Sequence, residues 1–232
     1  FPPLCPELNR RIHGILYSNS MKGEIPEEIK KIAQKFKEAD FEIYLVGGCV
    51  RDILMGKKVG DWDFTTNARP EEILKLFPNG FYDNRFGTVG VPSERLGVIE
   101  ITTYRTERGY KDRRHPEIIE WGKSLEDDLA RRDFTINTIA LRLTSTTQAK
   151  PSTEIIDPFN GRNDINDQTI RAIGDPNIRF KEDALRLLRA IRLATQLKFA
   201  IEEGTWNAIT TGSSLISYIS GERIRDELLK IL

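Results

Sequence analysis

Residues 41–66 read FEIYLVGGCVRDILMGKKVGDWDFTT, a pattern from which much of the fold follows. An apolar run ends in Gly47 and Gly48, which predicts a buried strand that enters a tight turn. A short helix is predicted after the turn, and DWDFTT predicts a second strand. A strand that leads through two glycines into a helix presents backbone N–H groups, which bind anions. We therefore predict a phosphate-binding turn, with Arg51 as a further phosphate ligand.

Two acidic residues follow this turn on the second predicted strand. Residues two apart on a strand project to the same face, so Asp61 and Asp63 would point together while the intervening aromatic residue faces a core. Neighbouring carboxylates repel, and Mg²⁺ bound between them would compensate their charge. Two alternatives stay open: Arg51 could pair with Asp52 in an ordinary turn, and the aspartates could form a solvated strand end.

Composition limits the classes of function. The chain has 232 residues with 35 Lys+Arg and 35 Asp+Glu, so any nucleic-acid binding must come from local patches. Cys5 and Cys49 lack the spacing of metal ligands and fit a reducing compartment. No apolar run approaches the roughly 20 residues that span a bilayer. The N-terminus does not resemble a secretory signal. We expect a cytoplasmic protein with no membrane partner.

The remaining pattern predicts an α+β head. A helix is predicted over 26–40, with Ile29 and Phe36 on its apolar face. Segments 85–94 and 97–105 predict two paired strands. The polar stretch Thr106–Ser124 has no clear period and is predicted to be a long loop.

From about residue 175 the pattern becomes helical. A helix over 182–194 is predicted to bury one stripe of apolar side chains, namely Ala184, Leu187, Leu188, Ile191 and Ala194. This change predicts three regions: an N-terminal extension over 1–25, a head domain over 26–172 and a helical neck domain over 173–232.

Six motifs follow one another in a fixed order: LVGGCVRD (45–52), DWDFTT (61–66), IEITTYRTE (99–107), DDLARRDFTIN (127–137), IIDPFNGRNDI (155–165) and RFKEDALRLLRAIRLA (179–194). With this set the chain resembles the bacterial-type (class II) tRNA nucleotidyltransferase/poly(A) polymerase family of the DNA polymerase β superfamily, which includes CCA-adding enzymes. The resemblance covers about residues 26–232. It implies a polymerase β-like head of mixed sheet and helices, then an all-helical neck.

The resemblance implies a catalytic metal site. In such enzymes two Mg²⁺ ions are held by strand aspartates, here Asp61 and Asp63. One ion lowers the pKa of the primer 3′-hydroxyl and the other neutralises the triphosphate. Glu100 is the candidate for a third carboxylate, and the alternative is an outward-facing strand residue.

The resemblance also implies a nucleotide site. Arg132 would bind the phosphates and Asp133 the ribose, with Asn137 nearby. The alternative for this segment is an ion-paired helix end. Asp183 and Arg186 would read the base, because an acceptor beside a donor matches cytosine and adenine but not uracil or guanine. The alternative for this pair is an ordinary salt bridge. Two further arginines would face the nucleotide, Arg189 and Arg192.

The resulting functional hypothesis is addition of CCA to tRNA 3′ ends from CTP and ATP. In the family a flexible loop, here Thr106–Ser124, is tied to the switch from C to A addition, which favours full CCA activity. Poly(A) addition, CC-only addition and A-only addition are alternatives on the same fold. A non-catalytic RNA-binding relative and a phosphate-binding regulatory domain are alternatives of other classes. The sequence leaves the oligomeric state open.

Overall fold

The computed structural model describes residues 24–83, 87–110, 116–122, 124–144 and 153–231. The chain divides into two compact units. The first unit comprises the described parts of Phe1–Thr106, Trp121–Leu129 and Asn137–Pro158, and the second those of Glu107–Glu120, Ala130–Ile136 and Phe159–Leu232. None of the helices in the described ranges is long and apolar enough to cross a membrane.

The described strands and helices are numbered here in chain order. The strands are β1 (Ile43–Leu45), β2 (Asp63–Thr66), β3 (Phe81–Asp83), β4 (Thr88–Ser93), β5 (Gly97–Thr103), β6 (Arg105–Tyr110), β7 (Pro116–Trp121), β8 (Ala140–Leu143), β9 (Thr153–Ile156), β10 (Thr169–Ile170) and β11 (Ala200–Ile201). The α-helices are α1 (Glu27–Glu38), α2 (Gly48–Met55), α3 (Pro70–Leu76), α4 (Leu125–Ala130), α5 (Gly161–Asn166), α6 (Pro176–Glu182), α7 (Leu185–Leu197), α8 (Glu203–Thr211) and α9 (Gly221–Leu229).

A seven-stranded mixed sheet forms the centre of the first unit, in the order β3-β4-β5-β2-β1-β8-β9. Strands β2 and β5 are parallel, and the other neighbours are antiparallel. The predicted helix over 26–40 is α1, which buries Ile29 and Phe36 as expected. The predicted pair of strands is β4 and β5. This sheet confirms the expected mixed α+β fold.

The glycine turn connects β1 to α2 as predicted. Gly47 has φ of 78°, a backbone conformation that a residue with a Cβ rarely adopts. The chain therefore reverses directly from the buried end of β1 into α2. The turn lies beside β2, because the N–H of Val46 donates to the carbonyl of Asp63 at 3.0 Å.

The prediction of a long loop over Thr106–Ser124 is wrong for its described part. Strands β6 and β7 occupy most of this segment and form a two-stranded sheet. Pairing of two strands satisfies backbone N–H and C=O groups whatever the side chains are. Such pairing does not require an alternating apolar pattern, so the sequence pattern did not indicate these two strands.

The second unit is mainly helical, with a short parallel pair of strands, β10 and β11. The predicted continuous helix over 182–194 is wrong, because α6 ends at Glu182 and α7 begins at Leu185. Asp183 between them is extended, and its Oδ1 accepts a hydrogen bond from the N–H of Leu185 at 3.1 Å. An aspartate that bonds to the backbone in this way favours a helix start over a helix interior.

The buried residues of α7 differ in part from the predicted stripe. Of the predicted stripe, Ile191 and Ala194 are only half-buried, while Ala190 and Leu193 are buried in their place. The predicted domain limits of 1–25, 26–172 and 173–232 stay a prediction.

Candidate active site

Two of the predicted catalytic acids are neighbours across the sheet of the first unit. Asp63 on β2 is in register with Glu100 on β5. Register partners lie on the same face, on strands about 4.8 Å apart. The next residues, Phe64 and Ile101, are buried on the opposite face, whereas Asp63 is half-buried and Glu100 is exposed. Pairing of β2 with β5 therefore places two carboxylates side by side towards solvent.

Asp61 lies just before β2, so the predicted strand over 61–66 begins two residues too early. The physical reason is that the partner strand β1 ends at Leu45 and the chain then turns at Gly47, so β1 extends no further along β2. The backbone nevertheless stays paired to Trp62, whose carbonyl accepts from the N–H of Glu100 at 3.1 Å. Asp61 is exposed and Trp62 is buried, as alternation requires. Joint metal binding by Asp61 and Asp63 stays a prediction.

The acids fit the chemistry of a magnesium site that substrate completes. Within the described ranges, no group of three or more His, Cys, Asp or Glu residues is arranged to hold a metal ion. Mg²⁺, however, is commonly held by one or two carboxylates, with substrate phosphates and water as its other ligands. The pair Asp63 and Glu100, with Asp61 close in sequence, offers oxygen ligands of this kind.

The glycine turn brings Arg51 to a polar partner that is distant in sequence. Arg51 donates through Nε to Oδ1 of Asp52 at 2.9 Å and through Nη1 to Oδ1 of Asn137 at 2.9 Å. A Cβ added at Gly48 would lie 3.4 Å from Nη2 of Arg51, so the guanidinium covers the start of α2. The alternative of an Arg51–Asp52 pair is thus present, and Asn137 joins it. Phosphate binding by this cluster stays a prediction.

Cys49 anchors the same turn from inside the unit. Its thiol donates to the carbonyl of Val46 at 3.0 Å, and burial raises its pKa to about 12. A thiol with this pKa stays protonated, and the thiolate is the reactive form.

We therefore expect Cys49 to resist alkylation by iodoacetamide at pH 8 in the folded protein, at a rate at least about 100-fold below that of the same residue in denaturant. Peptide mapping by mass spectrometry, which separates Cys49 from Cys5, measures both rates. Equal rates for Cys49 with and without denaturant would contradict the buried position of the turn.

The second unit contains a partly buried ion pair between two predicted nucleotide-binding residues. Oδ2 of Asp133 accepts from Nε of Arg189 at 2.8 Å and lies 2.7 Å from Nη2. Oδ1 accepts from the N–H of Phe134 at 2.9 Å. Burial by itself would raise the pKa of Asp133, but Arg189, Arg186 and this N–H together lower it. Asp133 is thus a carboxylate that stays ionised, and Arg132 is half-buried directly before it.

The proposed base-reading residues are each bound to other partners. Arg186 pairs with Glu182 at 2.7 Å, and its Nη2 donates to the carbonyl of Arg131 at 3.1 Å. Asp183 pairs with Arg223 of α9 at 3.2 Å. The two residues adjoin through the backbone, because the N–H of Arg186 donates to the carbonyl of Asp183 at 3.1 Å. Base recognition by Asp183 and Arg186 stays a prediction.

A further ion pair joins α7 to α9. Nε of Arg192 donates to Oε1 of the buried Glu227 at 2.5 Å. Sequence reasoning missed Glu182, Arg223 and Glu227 as partners of the predicted residues. The four-residue spacing of Glu182 and Arg186 was a signal for their pair, because the predicted helix over 182–194 contains both residues. Nothing local marks Arg223 or Glu227, because their partners lie 40 and 35 residues away.

Comparisons with known proteins agree with this arrangement. Residues 43–171 match the family model described as poly A polymerase head domain, and this match covers more than half of the chain. The chain belongs to the poly(A) polymerase head-domain family. Residues 198–232 match a second model, described as the probable RNA- and SrmB-binding site of polymerase A. The resemblance stated from the motifs is therefore confirmed.

The relatives of this family member include CCA-adding enzymes. The chain is 46% identical over 201 residues to the CCA-adding enzyme of Lactobacillus helveticus. This match covers 86% of the chain and 48% of the relative. The chain thus spans about half the length of the curated relatives that it matches.

Solved structures give the same picture. The crystal structure of the Bacillus stearothermophilus CCA-adding enzyme in complex with CTP superposes with a TM-score of 0.77 at 37% identity, over 90% of this chain and 49% of that one. A tRNA nucleotidyltransferase complexed with a primer tRNA and an incoming ATP analogue superposes with a TM-score of 0.67 at 31% identity, over 85% and 54% of the two chains.

Proposed function

We propose that this chain carries the catalytic site of an enzyme that adds C and A to tRNA 3′ ends from CTP and ATP. The observation that carries the proposal is the in-register pair Asp63 and Glu100, which adjoins the diglycine turn in a chain similar to CCA-adding enzymes. Carboxylates beside a phosphate-binding turn suit phosphoryl transfer, which depends on positioning and on neutralising charge. The predicted cytoplasmic location goes with this proposal.

In this proposal Asp61 and Asp63, with Glu100 as the candidate third carboxylate, would hold two Mg²⁺ ions. When bound, the ions would lower the pKa of the primer 3′-hydroxyl and neutralise the triphosphate. The protein's own contribution is to hold these carboxylates on a paired backbone. The backbone N–H groups at Gly47 and Gly48, with Arg51 and Asn137, would orient the phosphates.

We propose that the second unit selects the nucleotide. Asp133 would accept hydrogen bonds from the ribose hydroxyls, because its pKa is lowered and it remains ionised. Arg132 would bind the phosphates and Arg189 would hold Asp133 in place. Asp183 would accept from the amino group of cytosine or adenine, and Arg186 would donate to the adjacent ring nitrogen. Arg192 would support this arrangement through Glu227.

The test is incorporation of labelled nucleotides by the purified protein with Mg²⁺. We expect CTP and ATP, but not UTP or GTP, to be added to tRNA that lacks its CCA end. Reactions with CTP alone, ATP alone and both, on tRNAs that end at each stage, distinguish CCA addition from CC-only or A-only addition. Long adenosine tails from ATP alone would instead favour poly(A) addition, the activity named in the matched family model.

Replacement of Asp183 by alanine is expected to relax base selection. Loss of the carboxylate acceptor removes the partner of the amino group, so discrimination against UTP should fall by about 10- to 100-fold. The measurement is the ratio of kcat/KM for CTP to that for UTP. Glu203→Ala, which removes an exposed acid from the first turn of α8, is the matched control. An unchanged ratio in Asp183→Ala would contradict the proposed base reading.

A further inference from the structure

An exposed aromatic ring lies in the same cross-strand row as the carboxylate pair. Phe81 on β3 is in register with Gly90 on β4, which is in register with Glu100 on β5 and so with Asp63 on β2. Register partners share a face of the sheet, so all four residues belong to the face of the proposed metal site. Phe81 lies two strands from Glu100, about 10 Å across the sheet.

The side-chain contacts agree with this register. A Cβ added at Gly90 would lie 2.4 Å from the ring of Phe81, so the ring covers this glycine. Any larger residue at 90 would displace the ring. Phe81 nevertheless remains 55% exposed. One side of the ring therefore packs on the sheet while much of its surface faces solvent.

Two further apolar residues extend this surface. Pro92 and Val98 are register partners two residues along β4 and β5, on the same face as Gly90 and Glu100. Both are exposed, and Val98 is 46% exposed. Phe81, Pro92 and Val98 thus form an apolar ledge, which continues directly into the carboxylate row at Glu100.

We propose that this ledge stacks against the terminal base of the RNA primer, an inference that rests on the proposed function. The terminal nucleotide of the primer is the one whose 3′-hydroxyl must lie at the carboxylates. Its base therefore lies within reach of a surface that adjoins them. During CCA addition the primer ends first in the tRNA's own last base and then in C. Stacking on an apolar plane tolerates any base, because every base has a π-face. The ledge thus suits the primer, whereas selection of the incoming base needs polar partners.

The test combines a variant with a modified primer. Phe81→Ala is expected to raise the KM for the tRNA primer by roughly 5- to 100-fold, as removal of a stacking partner does. A primer whose terminal nucleotide lacks its base should show the same rise with the unaltered protein. Phe81→Ala combined with this abasic primer should show no further rise. The KM for CTP should stay within about twofold.

Controls separate stacking from a role in folding. In Phe81→Leu the leucine side chain still covers Gly90 but has no aromatic plane. This variant should keep the unfolding temperature, and its KM should no longer differ between the intact and abasic primers. Phe81→Trp should restore that sensitivity. Trp206→Ala removes a ring that is 51% exposed in the second unit, and should leave the difference between the primers unchanged.

Equilibrium binding of both primers, measured in parallel, distinguishes the two levels of failure. Lack of incorporation by the unaltered protein would contradict the proposed function. Equal binding of the intact and abasic primers would overturn the stacking inference. So would independent effects, in which the rises in KM caused by Phe81→Ala and by the abasic primer multiply. In either case the role of Phe81 would be to cover Gly90.

Discussion

Asp63→Asn is expected to lower the rate of nucleotide addition by at least about 10³-fold, because a metal site contributes several kcal/mol to stabilising the transition state. Asparagine keeps the shape of the side chain but loses the charge that binds a divalent cation. The carbonyl of Asp63 accepts from the N–H of Val46, and Asp63 is in register with Glu100 on β5. These contacts run through the backbone, so the fold should persist in the variant.

The measurement is the initial rate of labelled CTP incorporation at several Mg²⁺ concentrations, with thermal unfolding as a check on the fold. Glu94→Gln is the matched control, since it removes an exposed acid from the turn between β4 and β5. Glu100→Gln should have a smaller effect of about 10- to 100-fold, if this exposed residue is a third ligand. Retention of a tenth of the normal rate by Asp63→Asn would contradict the metal assignment.

Arg189→Met is expected to destabilise the second unit by about 2–3 kcal/mol at pH 7. The side chain of Asp133 is only 10% exposed, so loss of Arg189 leaves a buried carboxylate with fewer partners. Removing one member of a buried pair costs up to about 5 kcal/mol, but the Arg189 side chain is 38% exposed and solvent screens part of the interaction. Asp133→Asn should cost less, because Arg189 keeps its access to water.

The effect of pH gives a second signature of this pair. Because the folded protein has a lowered pKa for Asp133, the pair stabilises the fold above the ordinary pKa of about 3.9 and loses this contribution as pH falls through the lowered value. In Arg189→Met the positive charge that offsets the burial of Asp133 is lost, so the pKa of Asp133 should rise. The difference in unfolding free energy between the two proteins should then be large at pH 7 and shrink below about pH 4.

Chemical denaturation at pH 3, 5 and 7 measures this dependence. Asp175→Asn provides a control for general effects of removing an acid, since Asp175 caps α6 from an exposed position. A difference between Arg189→Met and the unaltered protein that is constant across the three pH values would exclude the Asp133 charge as its cause.

Local patterns in the sequence predicted the elements around the site well. The apolar run before Gly47 and Gly48 predicted β1, the turn and α2, because a strand, a glycine and a helix start each depend on nearby residues. Alternation from Asp61 to Phe64 likewise predicted which side chains are buried. Two local predictions failed: the loop over Thr106–Ser124 is largely a ribbon, and the helix over 182–194 breaks at Asp183. In the first case backbone pairing formed strands without any apolar pattern, and in the second the cap at Asp183 outweighed the apolar pattern.

By itself the sequence determined the order of motifs, the diglycine turn and the acids at 61 and 63, because each is specified within a few residues of the chain. Only the tertiary structure decided that Glu100 stands beside Asp63, that Arg51 contacts Asn137, and that Arg189 holds Asp133. These partners are 37, 86 and 56 residues apart. Strand register and helix packing determine such pairs, and both depend on contacts throughout the core. A pattern of a few neighbouring residues therefore does not predict them.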